Sequence, residues 1–312
     1  MNRPFLLTFD SPIPILRRQP GRCAVVCFVK AVQEGRNAVF MNRYGISSWI
    51  VKWLPLDEAV ETLSASGFKE LELSCAQSAL VQAWEKAPRE ICRRLELAGL
   101  HVKSTHTPEQ GRQLSAADEA PRRTSLDANR QYIDWSAQCG VELLIIHPTG
   151  PDDFSTEESR AASKARAVES MRILAEYAEG TGVKLAMENL PSGKVNRPGA
   201  TMSELREMIE GLGAHVGLCF DIGHTVMKGL DPVEELKAAG DKLLSLHLHD
   251  VNAQNHDHFI PGEGTIDWEA FLTQLDRQRF EGLRILEVSP PEENAKERLR
   301  ATAAVRDKWE AG

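Results

Sequence analysis

The chain has no pair of cysteines spaced as CxxC. Its six cysteines, Cys23, Cys27, Cys75, Cys92, Cys139 and Cys219, are scattered, most of them in apolar or helical contexts. That leaves out a thiol-based redox or zinc motif and reads as reduced, largely buried thiols in a cytoplasmic protein. No apolar run approaches the roughly 18 residues needed to span a bilayer, so no membrane segment is expected. The run nearest the start, Ala24 to Val29, is too short for a signal-peptide core and has no small-residue cleavage site after it. No basic face is advertised either: the formal net charge is -8, which weighs mildly against nucleic acid as the main partner. No GxGxxG follows the first apolar strand, which argues against a dinucleotide-binding open sheet.

What remains is 312 residues with 26% charged and 42% hydrophobic side chains, an ordinary globular composition. Residues 1–40 stand apart. They carry a net charge of +4, against -12 for the rest, and Pro12, Pro14 and Pro20 interrupt any helix or central strand. Met41-Asn-Arg then repeats the opening Met1-Asn-Arg. The expectation is an N-terminal extension over 1–40, disordered or lying upstream of a native start at Met41, followed by one domain over 41–312. N-terminal mass spectrometry of protein from its natural host tests this, and peptides from residues 3–36 would overturn it.

From Met41 a rhythm sets in, in which a glycine follows an amphipathic helix and a short apolar strand follows the glycine. It runs through Tyr44–Ser48, Gly67–Leu73, Gly99–Thr105, Gly140–Ile146, Gly182–Met187, Val216–Phe220, Gly240–Leu246 and Gly282–Leu286. Glycine just past a helix takes the left-handed conformation that turns the chain into the next strand. The helices have their own start signals, such as the capping box Thr201-Met-Ser-Glu204 and the Asp231-Pro232 N-cap. Eight alternations of strand and helix predict an α/β (β/α)8 TIM barrel.

Such a barrel carries its site at the C-terminal ends of its strands. Strand 3 ends in His106, strand 4 in His147 and strand 5 in Glu188. Strand 6 ends in Asp221 with His224 three residues on, strand 7 in His247, and strand 8 in Glu287. The loop after strand 7 adds His256, Asp257 and His258. Carboxylates and imidazoles at the ends of apolar strands are costly to desolvate unless paired or metal-bound, so a divalent metal at this rim is expected. His249 shares the face of His247 and is expected to contact substrate or support a ligand. Asp250 points the other way and is expected to be structural, as are His101 and His215 at the opposite rim. Glu72 alternates with Leu71 and Leu73 and faces the interior, where it either lines the site or pairs within the barrel.

Met187-Glu-Asn189, Cys219-Phe-Asp-Ile-Gly-His224, His247-Leu-His-Asp250, Asp257-His258 with Pro261 to Trp268, and Leu286-Glu-Val288 together resemble the sugar phosphate isomerase/epimerase family. That family has the xylose isomerase-like TIM barrel and also includes endonuclease IV. The resemblance covers residues 41–312. It implies one divalent ion (Mn2+, Zn2+, Mg2+ or Co2+) held by Glu188, Asp221, His247 and Glu287, with Glu188 and Glu287 also passing the proton. The implied reaction is isomerisation or epimerisation of a sugar, sugar phosphate or keto-polyol through an enediolate. The implied partner is a small carbohydrate, and members of the family often pair as homo-oligomers.

Two rivals stay open: a lyase or dehydratase on a polyol, and an endonuclease IV-like phosphoester hydrolase. In the hydrolase, His106 and His147 would hold a second ion with Glu188. His224 and His258 would hold a third, where His256 stands in place of an Asp. The loop Ser74 to Ala79 lacks the basic and aromatic residues that a DNA-inserting loop would carry. Lys194, Arg197, Trp49, Trp53 and Phe154 are candidate substrate contacts or ordinary surface and core residues.

Overall fold

The computed structural model describes residues 43–74, 76–191, 196–289 and 294–311. The N-terminal extension, Cys23, Cys27, Cys75 and Lys194 lie outside the described residues. Eight strands form the sheet: β1 (Gly45–Ser47), β2 (Glu70–Leu73), β3 (His101–His106), β4 (Leu143–Ile146), β5 (Lys184–Glu188), β6 (Val216–Asp221), β7 (Leu243–Leu248) and β8 (Leu283–Leu286). Each pairs in parallel with the next, and β8 pairs back to β1, closing the barrel. Around it run α1 (Leu56–Ala65), α2 (Ala79–Lys86), α3 (Pro88–Leu97), α4 (Glu119–Cys139) and α5 (Glu157–Ala178). They are followed by α6 (Met202–Met208), α7 (Ile222–Met227), α8 (Pro232–Ala239), α9 (Trp268–Arg277) and α10 (Ala295–Glu310). Among the described residues no helix is long and apolar enough to cross a membrane.

Strand alternation divides the apolar residues between two cores. Leu144, Ile146, Leu185, Met187, Leu218 and Phe220 point outward into the annulus packed by the helices. Leu143, Ile145, Ala186 and Cys219 point inward and form a small separate cluster inside the barrel. Because both faces of each strand are covered, β4 reads as an unbroken Leu-Leu-Ile-Ile rather than as an alternating pattern.

The strands differ from expectation at their ends. β2 and β4 begin three residues after the glycines that announce them, since Gly67 (φ 81°) and Gly140 (φ 70°) are left-handed turn residues still leaving a helix. At the other end, β6 continues through Asp221 and β7 through Leu248, so His247 lies inside a strand. Register shifts interrupt the β2–β3 pairing between Leu71 and Glu72, and the β6–β7 pairing between Leu218 and Cys219. Irregularities of this kind re-aim the side chains that follow them. Beyond the second shift, Asp221 stands opposite His247.

Candidate metal centre

Glu188 ends β5, Asp221 ends β6, His247 lies in β7, and Glu287 follows β8 directly. All four are buried. Each offers a ligand atom, and these atoms all lie within 4.8 Å of one another. Three carboxylates converge on one ring nitrogen. His247 Nδ1 is 3.1 Å from Glu188 Oε1, 3.2 Å from Glu287 Oε2 and 3.9 Å from Asp221 Oδ2.

A single imidazole N–H cannot satisfy three carboxylates, and one imidazolium cannot neutralise them. The titration tendencies express the same imbalance. Burial, with the like charge of Glu188, pushes Glu287 up to about 7 against the pull of His247. Burial also works to raise Glu188, but the facing His247 and His147 prevail and hold it well below the usual carboxylate range. Three hard oxygen donors and one nitrogen, converging without a matching positive charge, fit a divalent cation.

Asp221 and the main chain at Glu287 are held by neighbours. Asn189 latches the ends of β5 and β6 together: its Oδ1 accepts from the Asp221 amide at 2.7 Å, and its Nδ2 donates to the Asp221 carbonyl at 2.9 Å. Asp221 Oδ1 also caps α7 by accepting from the His224 amide at 2.7 Å. On the far side of Asp221, His249 Nε2 lies 3.0 Å from Oδ2. The His258 amide donates to His249 Nδ1 at 2.9 Å, so Nε2 is the nitrogen that carries the proton and donates to Asp221. His258 itself holds a left-handed φ of 60°, uncommon for a side-chain-bearing residue, and its ring Nδ1 donates to the Glu287 carbonyl at 3.0 Å.

That donation is part of a pattern. His224 Nδ1 donates to the Asn189 carbonyl at 2.9 Å, and His106 Nδ1 to the Thr107 carbonyl at 3.2 Å. In His224 and His258 this leaves the Nε2 lone pair available for a metal or substrate, whereas His106 Nε2 lies 3.3 Å from Glu188 Oε2. Beside the four-residue set the described residues offer further ligand groups, among them His106, His147 and Glu188, and His224, Asp257 and His258. Burial and the neighbouring His249 hold the His258 pKa well below the ordinary histidine value. Burial likewise lowers His147, to about 3.

The structure departs from expectation at His256. Its side chain is exposed, and it belongs to none of the ligand groups found among the described residues. The loop turns tightly between Asn252 and His256, with Asn255 at a φ of 64°, and this puts His256 at the solvent-facing tip. An antiparallel bridge between Asp250 and Phe259 then carries the chain back to the barrel, and Asp257 supplies the carboxylate beside His224 and His258.

Other candidates have plainer roles. Asp250 accepts from the amides of Val251, Gly262 and Ile266 and from Trp268 Nε1, and so fixes the long loop after β7. His101 is exposed at the start of β3, and His215 Nε2 donates to the Ala175 carbonyl, both at the rim opposite the site. Arg197 donates to the Gly150 carbonyl at 2.9 Å, and its guanidinium lies 6.0 Å from the Phe154 ring. Trp49 meets the His258 ring edge-on at 4.4 Å, whereas Trp53 is about half exposed. Glu72 lies fully buried beneath His247. Alternation along β2 predicted its inward direction, but the closeness of β2 and β7 across the barrel had no local trace.

The xylose isomerase-like TIM barrel family model matches residues 60–305. D-psicose 3-epimerase of Enterocloster bolteae is 25% identical over 258 residues, which cover 78% of this chain and 81% of that one. A crystal structure of D-psicose 3-epimerase in the presence of D-fructose superposes with a TM-score of 0.71 at 18% identity, covering 86% of this chain and 100% of that one. The structure of the IOLI protein with a binding zinc atom gives a TM-score of 0.73 at 19% identity, covering 85% of this chain and 97% of that one. These two structures share the fold. The family match spans most of the barrel, from α1 to α10, and on that ground the chain belongs to the xylose isomerase-like TIM barrel family.

Proposed function

We propose that the protein is a metal-dependent isomerase or epimerase of a small ketose or keto-polyol, with Glu188 and Glu287 exchanging a proton with the substrate carbon next to its carbonyl. The observation that carries this reading is the approach of two buried carboxylates, from β5 and β8, to the same ring nitrogen of His247 at 3.1 and 3.2 Å. The likeness to a D-psicose 3-epimerase supports it.

Glu188, Asp221, His247 and Glu287 would hold the ion; mixed oxygen and nitrogen donors accommodate Mn2+, Zn2+, Mg2+ or Co2+. When bound, such an ion polarises a substrate carbonyl and stabilises negative charge on its oxygen. Glu188 would accept the α-proton, and Glu287 would return one on the opposite face or at the neighbouring carbon. The reaction is reversible, so the two carboxylates exchange roles in the other direction. Trp49 and the histidines His106, His147 and His258 border the same region and would orient the substrate hydroxyls.

The test has two steps. Metal content is measured on freshly purified protein by plasma mass spectrometry, with about one ion per chain expected. Ketoses and keto-polyols are then incubated in D2O, and deuterium should enter at the α-carbon with wild-type protein and not with Glu188→Gln. A loaded enzyme that exchanges no proton in any of these substrates would overturn the proposal.

A second reading is favoured by one observation, the grouping of Asp257 with His224 and His258. With His106, His147 and Glu188 it completes three adjoining ligand groups, as phosphoester hydrolysis at a multi-metal centre would require. Two or three zinc ions per chain, with cleavage of an abasic-site duplex, would establish that reading instead.

A further inference from the structure

The face of His247 turned away from the candidate ligands is also occupied. Its Nε2 lies 3.1 Å from Glu72 Oε1 and 3.3 Å from Oε2. Glu72 comes from β2, separated from β7 by β8 and β1, so its side chain reaches across the barrel interior to make this contact. Both residues are fully buried. Ser104 on β3 donates its hydroxyl to Glu72 Oε2 at 2.7 Å and fixes the carboxylate from the side. An ionised carboxylate accepts hydrogen bonds and donates none, so Nε2 must carry the hydrogen. In the neutral ring, Nδ1 then keeps its lone pair, aimed at Glu188, Asp221 and Glu287.

We propose that Glu72 is a positioning residue, which locks His247 as its Nε2–H tautomer and orients the Nδ1 lone pair toward a cation held with Glu188, Asp221 and Glu287. The inference rests on the metal-centre reading above. Glu72 also explains how an imidazole is tolerated in the interior of β7. A carboxylate behind a ligating histidine fixes the ring's rotation and raises its basicity, and removing such a partner typically weakens metal binding about 10–100-fold. A bystander carboxylate would instead only add a fourth buried negative charge beneath the site, and its removal would leave metal affinity unchanged or improved.

The test measures metal affinity on the full chain, stripped with chelator and titrated with Mn2+ or Zn2+ in competition with a chromophoric chelator. The proteins are wild type, Glu72→Gln and Ser104→Ala. Glu72→Gln keeps size and shape but loses the charge, and its amide can present N–H groups to Nε2 and favour the wrong tautomer. It should bind the metal about 10–100-fold more weakly, with the melting temperature of the metal-free protein little changed. Ser104→Ala leaves the carboxylate in place but frees it, and should show a smaller loss in the same direction. Long-range proton–nitrogen correlation spectra of Zn2+-loaded wild type should show His247 protonated at Nε2 and not at Nδ1.

If wild type binds and both variants bind equally tightly, Glu72 does not position His247, and the metal-centre reading survives. A Glu72→Gln variant that fails to fold leaves Ser104→Ala to decide, and unchanged affinity there overturns the proposal. If wild type binds neither ion, the metal-centre reading itself fails, and this inference fails with it.

Discussion

At Gly223 the backbone of α7 runs so close to the His249 ring that an added Cβ would lie 2.0 Å from its Cε1. The glycine makes room for the imidazole that holds Asp221. Gly223→Ala should therefore displace His249, cost about 1–3 kcal/mol of stability by overpacking and lower bound metal. Urea denaturation and metal analysis read the two effects separately. Glu287→Gln should leave the circular dichroism spectrum intact and reduce turnover by 100-fold or more, within the range for loss of a general acid or base. Retained activity would remove Glu287 from the proton path.

The thiols offer another check at this scale. Cys92 and Cys139 lie 47 positions apart in sequence, yet their thiols influence each other between α3 and α4. The Cys92 thiol lowers the Cys139 pKa to about 7, while Cys92 itself is pushed upward. At pH 7.5 iodoacetamide should alkylate Cys139 well before Cys92, as peptide mass spectrometry would show. Scattered spacing concealed this pair, because adjacent helices bring together residues that no local pattern links.

At the scale of elements, α5 and α6 are clamped through Glu204. Arg160 Nη2 reaches its two carboxylate oxygens at 2.7 and 2.8 Å, and the Gly199 amide donates to Oε2 at 2.8 Å. Burial opposes the charge, but Arg160 and the Gly199 amide prevail and lower the Glu204 pKa. A carboxyl lowered on folding stabilises the native state above its unfolded value, about 4.3. That contribution is lost as pH falls through the lowered folded value. The difference in denaturation midpoint between wild type and Glu204→Gln should therefore be large at pH 7 and shrink progressively below about pH 4.3.

The elements themselves were largely legible in the sequence, because turn glycines, N-caps and apolar runs are local signals. Gly67 and Gly140 marked the turns correctly and misplaced the strand starts by three residues, since a turn takes residues of its own. The loop after β7 was legible only as a concentration of ligand-type residues. Its choice of Asp257 over His256 depends on the turn at Asn252–His256 and the Asp250–Phe259 bridge, which composition does not encode. Strand-end position brought out His106, His147, Glu188, Asp221, His247 and Glu287, and the family resemblance implied the last four as ligands. Strand position could not show that Glu72 meets His247, because alternation gives direction and not distance around a closed barrel.

For the whole molecule, the four converging side chains come from β5, β6, β7 and β8, so an ion at their meeting point would tie half of the barrel together. Ligand that binds only the native state stabilises it by about 2.7 kcal/mol at a free concentration 100 times the dissociation constant. Chelation should accordingly lower the melting temperature, and re-addition of metal should restore it. A melting temperature indifferent to metal at saturating concentration would contradict native-state binding.

Glu287 follows the strand whose pairing with β1 closes the sheet. During ribosomal synthesis the other three ligands emerge first, on β5, β6 and β7, of which β7 still lacks its β8 neighbour. The nascent chain therefore cannot assemble the four-residue cage until its last strand has left the exit tunnel and found its first. Metal loading of the four-residue site would then be a post-translational event, and a polypeptide cut short before β8 would lack its fourth ligand.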